Sequence, residues 1–186
     1  TVAGASTKHL ARQARYDGET FVSANALTGL VFNDSTGNNA VTVRNTVAAD
    51  DSLSTTLNSA SAIAKANAIN DSTQATGVRA IVNTTTLAAT QSVGPVVLDE
   101  NDWFQINGEK IAGFEVVAND ATGSLVDAIN AVAEDTGVIA ELNAAGELTL
   151  TAADGRNIEV IFSNSITSNA LSMSALGAAT VAAGGA

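Results

Sequence analysis

The chain has 186 residues and a mass of 18.6 kDa, which suits one large domain or two small ones. Eight Lys and Arg residues against 19 Asp and Glu residues give a net charge of −11, so the surface would repel the phosphates of nucleic acids and of anionic membranes. The absence of cysteine excludes disulfides, thiolate metal sites and cysteine nucleophiles. The composition therefore predicts a soluble, self-repelling surface.

The beginning of the chain, residues 1–21, lacks the basic-then-apolar order of a signal peptide. No apolar run reaches the roughly 18 residues that a membrane helix needs. The chain also lacks an initiator Met, so we expect a fragment or a processed piece of a longer protein.

The first fifty residues combine a short basic run with strand and turn patterns. Four cationic or titratable side chains gather in a run with helical spacing: Lys8, His9, Arg12 and Arg15. Runs rich in β-branched and aromatic residues predict strands at 20–22, 30–32 and 40–44. The polar cluster 33–39 predicts a hairpin between the last two.

The next stretch predicts a helix followed by a strand. Asp50 and Asp51 form a helix-start signal, because acidic side chains suit the positive end of a helix dipole. The Ala- and Ser-rich residues 53–72 predict the helix, and Gly77 predicts its end. The alternation over residues 78–83 predicts a strand that leaves the helix.

The clearest hairpin of the sequence lies in the second half. Residues 103–106 and 111–117 are β-rich and flank Asn107-Gly108. Asn-Gly supplies the positive φ angles that a type I′ turn requires.

A helix and three strands are predicted next. Asp120, Thr122 or Ser124 can cap the helix, and apolar residues at i, i+4 and i+7 from Leu125 give it one buried face. Gly137 predicts its end.

The strands after this helix alternate in a row, at 138–142, 148–151 and 158–162, and Asp154-Gly155 is a hairpin signal between the last two. The outward positions are mostly Thr, Glu and Asn, which predicts an antiparallel sheet with one wet face and the helix on the other. Spacing over 166–173 predicts a last helix.

One sequence pattern occurs twice. It consists of Ala-Ile-Asn, a spacer of any five residues, Thr-Gly-Val, a spacer of one residue, and Ala. It begins at Ala68 and again at Ala128, 60 positions later. Such a repeat indicates duplication of one small unit. We therefore predict an α+β fold of two related small units, each an antiparallel sheet packed on a short helix.

The repeat also predicts the domain organisation. The first unit is expected at 1–97, with its copy of the repeat at 59–83. The second unit is expected at 98–186, with its copy at 104–162. Residues 163–186 could return to the first unit.

No pattern predicts catalysis or cofactor binding. His9 is the only histidine, and neither a G-x-S-x-G elbow nor a Gly-rich phosphate loop occurs. Carboxylates alone could bind calcium, with Asp50-Asp51 and residues 99–102 as the candidates and solvated turn charges as the alternative. Trp103 is expected in the core of the second unit, with ligand stacking as the alternative. We expect no catalytic, cofactor-binding or metal-binding residues and no cofactor.

Three tripeptides match the acceptor pattern for N-glycosylation. They begin at Asn33, Asn70 and Asn83. The pattern is short and frequent by chance, and Asn70 lies in a predicted helix, so it carries little weight.

The repeated core resembles the flagellin hook IN motif, which occurs in bacterial flagellins and in related axial proteins. The second copy matches over residues 104–161 through four short segments: Ile106-Asn107-Gly108, Ala128-Ile129-Asn130, Thr136-Gly137-Val138 and Leu148-Thr149-Leu150. The first copy matches over roughly 59–83, and its flanking strands are blurred.

The resemblance implies a structural component of the bacterial flagellar filament without catalysis. The long terminal helices through which flagellins polymerise are absent, so the chain looks like the surface-exposed, variable outer domains of a flagellin that supports motility. A fragment of a filament cap or hook-associated protein is the alternative within the family. Outside a structural role, the chain could be a glycan-binding or host-binding, adhesin-like module or an inserted hydrolase.

The resemblance also implies partners and location. It implies self-association in the filament through termini that this chain lacks, and a monomeric fragment. It further implies export through the flagellar apparatus to the extracellular flagellum and glycan modification at Ser or Thr. Neither nucleic-acid binding nor membrane insertion is expected.

Overall fold

The computed structural model describes residues 25–33, 40–163 and 179–182. Short helices and small antiparallel sheets alternate along these residues, so the predicted α+β class is confirmed. The strands within them are β1 (Val31–Asn33), β2 (Ala40–Thr42), β3 (Thr85–Ser92), β4 (Val96–Leu98), β5 (Phe104–Ile106), β6 (Glu109–Ile111), β7 (Phe114–Val116), β8 (Ile139–Leu142), β9 (Glu147–Ala152), β10 (Ile158–Phe162) and β11 (Ala179–Ala182). The helices are α1 (Ala62–Asn70), α2 (Thr73–Thr76), α3 (Ser124–Ala131) and α4 (Ala133–Thr136), with 3₁₀ turns at Ala48–Asp50, Asn58–Ala60 and Ala118–Asp120.

Four antiparallel sheets form within the described residues. Their strand orders are β3-β9-β8, β11-β10-β5-β6, β4-β7 and β1-β2. Helix α3 packs on β8 and β7. Strand β9 alternates between buried and half-buried positions, as expected for a sheet that buries one face.

One apolar core joins α3 and three of these sheets, and no residue of the β1–β2 sheet belongs to it. The largest fully buried side chains of this core come from the strands and from α3, and they are Leu98, Phe104, Ile106, Leu125, Ile129, Leu148, Leu150 and Ile158. Leu125 and Ile129 are the predicted apolar positions of α3, and both are 0% exposed. Phe104 stacks at a tilt on Phe162, with ring centroids 6.4 Å apart. The core is almost wholly aliphatic, as the low aromatic content predicts.

Two predicted hairpins are confirmed. Strands β1 and β2 pair antiparallel, although their connection lies outside the described residues. Strands β5 and β6 pair around Asn107-Gly108, whose φ angles are 45° and 97°. Both angles are positive, as a type I′ turn requires.

The predicted helix start at Asp50 and Asp51 is wrong. Asp50 closes a 3₁₀ turn, and the Asp51 carboxylate accepts hydrogen bonds from the N–H groups of Leu53 (2.8 Å) and Ser54 (3.1 Å). Those bonds turn the chain instead of starting a helix. Helix α1 begins eleven residues later at Ala62, capped by the Ser61 hydroxyl, which accepts from the N–H of Ala64 at 3.0 Å.

The predicted strand over residues 78–83 is also wrong. These residues are extended but pair with no strand among the described residues. Ladder pairing begins at Thr85, where β3 meets β9. Alternation predicts an extended conformation, but a strand also needs a neighbour, and the neighbour is not encoded locally.

The hairpin predicted at Asp154-Gly155 is a turn between two different sheets. Strand β9 pairs with β3 and β8, whereas β10 pairs with β5 and β11. Gly155 has φ +78°, so the sharp turn itself is present. The prediction was wrong about pairing, because the better partner of β10 lies some fifty residues away in the sequence.

The domain boundary at residues 97 and 98 stays a prediction. The pairing of β3 with β9 and of β4 with β7 joins strands on either side of it. Strand β11, in the C-terminal segment 163–186, pairs with β10.

Several predictions fall outside the described residues: the basic run around His9, the strand at 20–22 and the helix at 166–173. In the ranges that are described, no helix combines the length and the apolar character that crossing a bilayer demands.

Candidate functional site: asparagine amides that hold the repeated unit

The asparagine of the second AIN pattern bonds to the backbone of a strand. Near the end of α3, Asn130 donates from Nδ2 to the Ala140 carbonyl at 3.1 Å and accepts at Oδ1 from the Ala140 N–H at 2.8 Å. Ala140 lies in β8, which pairs with β9 on its other side. The amide therefore takes the place of a neighbouring strand at an open sheet edge, where unpaired backbone groups invite association.

The first AIN pattern makes the same contact. Asn70 donates to the Ala80 carbonyl at 3.1 Å and accepts from the Ala80 N–H at 2.8 Å. In each case the two residues are ten positions apart. The repeated sequence pattern therefore has a repeated geometry. In both copies the asparagine side chain at the end of a helix forms two hydrogen bonds with the backbone of the segment that follows.

The turn between helix and strand is also the same at both places. The hydroxyl of Thr76 accepts from the N–H of Val78 at 3.1 Å, and that of Thr136 accepts from the N–H of Val138 at 3.2 Å. Gly77 and Gly137 both have φ +69°. The left-handed conformation ends the helix, as predicted, and the threonine hydroxyl directs the chain into the extended segment.

Asp120 caps the N-terminal end of α3. Its carboxylate accepts from the N–H groups of Leu125 (3.0 Å) and Val126 (3.1 Å), and Asp120 is 4% exposed. Of the three predicted caps, Asp120 is thus the one that satisfies helical N–H groups, and Ser124 instead bonds to the Glu115 carbonyl.

The turn after β9 closes over the end of α4. Arg156 donates from Nη1 to the Thr136 carbonyl at 3.2 Å and pairs with the Asp154 carboxylate at 2.7 Å. Burial raises the pKa of Asp154, but its bonds with Arg156 outweigh burial, and the pKa lies below its usual value. A β-carbon at Gly137 would overlap the Arg156 guanidinium, so this glycine serves both the conformation and the contact.

Asn107 binds the same helix end from the other side. Its Nδ2 donates to the Thr136 carbonyl at 2.9 Å, and its Oδ1 accepts from the Glu159 N–H at 2.8 Å. The Thr136 carbonyl therefore has two donors, one from the β5–β6 turn and one from Arg156. These bonds tie the β5–β6 hairpin, α4 and β10 together.

Asn157 connects this turn to the first half of the chain. Its N–H donates to the Ser54 hydroxyl and its Nδ2 donates to the Thr56 carbonyl, both at 2.9 Å. Asn157 is 1% exposed, and buried polar bonds of this kind fix one relative arrangement of the segments they join.

The calcium candidates do not converge into a ligand set. Asp50 bonds to Arg44, which lowers the pKa of the Asp50 carboxyl, and Asp51 caps the turn already described. Asp99 accepts from the N–H groups of Asn101 (2.7 Å) and Asp102 (2.9 Å). Among the residues that the structure describes, no cluster of three or more His, Cys, Asp or Glu side chains could hold a metal ion.

Trp103 lies at the rim of the core rather than inside it, since it is half-buried whereas Phe104 and Ile106 are 0% exposed. The Lys110 ammonium sits 5.3 Å from the centroid of the indole ring. That cation–π contact covers one face of the ring.

The glycosylation patterns differ in exposure. Asn70 uses both amide atoms on Ala80, whereas Asn83 is exposed. The sequon at Asn33 runs into the undescribed residues.

The sequence analysis did not single out Asn130, Arg156 and Asn157, whose side chains form hydrogen bonds with the backbone of other segments. A signal for Asn130 exists in the sequence, because the same Asn-to-Ala spacing recurs at Asn70. Arg156 and Asn157 lie in an ordinary turn pattern, and their partners are distant in the sequence.

Part of the amino-acid sequence matches a known family. The model of the family described as "Flagellin hook IN motif" matches residues 104–154. Flagellin A of Helicobacter felis is 36% identical over 96 residues, and flagellin A of Helicobacter pylori is 38% identical over 98 residues. Each alignment covers 51% of this chain and 18% of the relative, so the chain spans about a fifth of the length of these curated relatives.

Residues 104–154 are thus similar to the flagellin hook IN motif, and in this structure they contain the β5–β6 hairpin, β7, α3, α4, β8 and β9. Over about half of its length the chain is also similar to the two flagellins named above.

Proposed function

We propose that this chain is a surface-exposed, variable region of a flagellin, located on the extracellular flagellar filament and supporting motility. The observation that carries the proposal is the hook IN match over residues 104–154. The fold supports it, because the motif forms a small unit with an aliphatic core and a polar exterior. The net charge of −11 keeps neighbouring copies in a dense array from adhering.

The proposal includes assembly and export. The parent protein would self-associate in the filament through segments other than these residues and would leave the cell through the flagellar apparatus. Surface Ser and Thr residues would accept glycans. These statements rest on relationship to flagellins, and the assembly contacts would lie outside the unit described above.

We also propose that residues 59–83 are a second, partial copy of the unit. The support is geometric, since Asn70 and Ala80 repeat the two bonds of Asn130 and Ala140 at equal distances. The family match at 104–154 covers the other copy alone. Duplication of one unit would explain why a helix, a glycine that ends it and the segment after it occur twice, 60 positions apart.

Labelling of whole cells tests the location and separates the family alternatives. Antibodies raised against residues 25–163 and detected with gold particles should decorate the filament along its whole length. Label confined to the filament tip would indicate a cap protein, and label confined to the hook–filament junction would indicate a hook-associated protein. A strain that lacks the gene is the control for specificity.

The isolated chain should be a monomer. Sedimentation velocity over a wide concentration range should give one species with the mass of a single chain, 18.6 kDa. A tight oligomer at every concentration would contradict this part of the proposal.

A separable second unit should begin nearer residue 85 than residue 98. The reason is that β3 and β4 supply partners for β9 and β7. A chain of residues 85–186 should therefore unfold cooperatively, whereas a chain of residues 98–186 should not. Cooperative unfolding of residues 98–186 would instead support the boundary predicted at residues 97 and 98.

A further inference from the structure

Asn107 and Gly108 form the single Asn-Gly dipeptide of the chain. The glycine has no side chain to shield its peptide nitrogen, so this nitrogen can approach the asparagine side chain more easily than at other dipeptides. Asparagine is a thermally labile residue for this reason. In the present fold the dipeptide forms a hairpin turn whose glycine is exposed.

Both polar atoms of the Asn107 side chain are held by hydrogen bonds. Its Nδ2 donates to the Thr136 carbonyl at 2.9 Å, and its Oδ1 accepts from the Glu159 N–H at 2.8 Å. Its own N–H donates to the Glu159 carbonyl at 3.0 Å. Asn107 is 6% exposed although it lies in a turn.

We infer that Asn107 is a deamidation site that the fold keeps closed and that opening of the β5–β6 hairpin exposes. In the reaction the Gly108 peptide nitrogen gives up its proton and attacks Cγ of Asn107. A Gly108 N–Cγ bond forms, the Cγ–Nδ2 bond breaks, and Nδ2 leaves as ammonia. Water then opens the cyclic succinimide to aspartate or isoaspartate. The attack requires rotation of the side chain away from Thr136 and Glu159.

The product cannot restore the same contacts. An aspartate at position 107 would place a carboxylate oxygen, which has no hydrogen to donate, against the Thr136 carbonyl. An isoaspartate would add a methylene to the backbone within a two-residue turn and disturb the pairing of Ile106 with Glu109. Deamidation to aspartate would therefore break the bond from the hairpin to the Thr136 carbonyl at the end of α4, although β5 stays paired with β10.

The rate of deamidation tests the inference. The chain is incubated in native buffer and in guanidinium chloride at the same pH and temperature. Mass spectrometry of the peptide that contains residue 107 gives the loss of amide, and isoaspartyl methyltransferase labelling gives the isoaspartate. With two side-chain hydrogen bonds to break, each contributing about a factor of ten, the native rate should be roughly 10- to 100-fold slower. Equal rates would overturn the inference.

Two variants that keep Asn107 and Gly108 locate the opening. Val160→Ala loosens β10, the strand that holds Asn107, and should accelerate deamidation in native buffer. Val43→Ala truncates an equally buried side chain outside the core cluster around β10 and should not. Acceleration by neither variant, or equal acceleration by both, would overturn the assignment of the opening to this hairpin.

Asn107→Asp reproduces the product and reports its effect. This variant should melt several degrees below the parent chain. Asn45→Asp adds the same charge at an exposed position and should leave the melting temperature unchanged. Equal melting of the two variants would contradict the claim that deamidation weakens the attachment of the hairpin to α4.

Discussion

Replacing Asn130 by alanine removes the amide that covers the free edge of β8. The change deletes two hydrogen bonds, one to the Ala140 N–H at 2.8 Å and one to its carbonyl at 3.1 Å. Ala140 is 2% exposed, so water does not easily replace the amide. A buried group left without a partner costs about 1–3 kcal/mol, and Asn130→Ala should lower the free energy of unfolding by about 2–4 kcal/mol.

The first copy of the pattern provides the matched control. Asn70 makes the same two bonds, but Ala80 is only half-buried, and water can solvate its backbone once the amide is gone. Asn70→Ala should therefore cost about 1 kcal/mol or less. Both variants gain the same helix propensity from alanine, so that contribution cancels in the comparison.

Guanidinium denaturation followed by circular dichroism measures both variants, with the free energy from linear extrapolation. Asn130→Asp is a third variant, because it keeps an acceptor for the Ala140 N–H and loses the donor to its carbonyl. It should fall between the parent and Asn130→Ala at neutral pH. Equal and small effects of Asn70→Ala and Asn130→Ala would refute the reasoning that the amide protects a buried strand edge.

Three further changes test the rest of the unit. Gly137→Ala should destabilise the chain by about 1 kcal/mol more than Gly77→Ala, because both strain a left-handed residue but only the first displaces Arg156; equal melting temperatures would contradict this. Asp120→Ala should cost about 1–2 kcal/mol in urea denaturation, with Asp120→Asn nearer the parent. Burial raises the pKa of Asp51, but hydrogen bonds from Ser54, Ser61 and backbone N–H groups lower the pKa by more. The folded pKa of Asp51 therefore lies below its usual value. Its stabilisation is then present above the unfolded pKa of about 3.9 and lost as pH falls through the folded pKa; Asp51→Asn should flatten the fall in melting temperature below about pH 4.

The sequence predicts those parts of the fold whose cause is local. The apolar spacing from Leu125, the glycine stops at Gly77 and Gly137, and the Asn107-Gly108 turn each depend on residues within one or two turns of chain. All of them are present in the structure. The α+β class follows from them.

Pairing partners and side-chain contacts at long range were not predictable in this way. Residues 78–83 alternate as a strand does, yet the Asn70 amide holds them and no neighbouring strand does among the described residues. Strand β10 follows a good hairpin signal, yet it pairs with β5 because Phe104 and Ile106 complete the core there. Asn157 bonds to Ser54 and Thr56 across about a hundred residues, and nothing in the local pattern encodes that contact.

Electron cryomicroscopy of flagellar filaments that contain the full-length parent protein tests the central claim most directly. The map should contain, at the outer radius of each subunit, density that fits the sheet β3-β9-β8 with α3 packed against it. The α3 helix should lie away from the helical core that joins the subunits. Density for this unit within the filament core, or filaments that lack it altogether, would contradict the assignment of these residues to the filament surface.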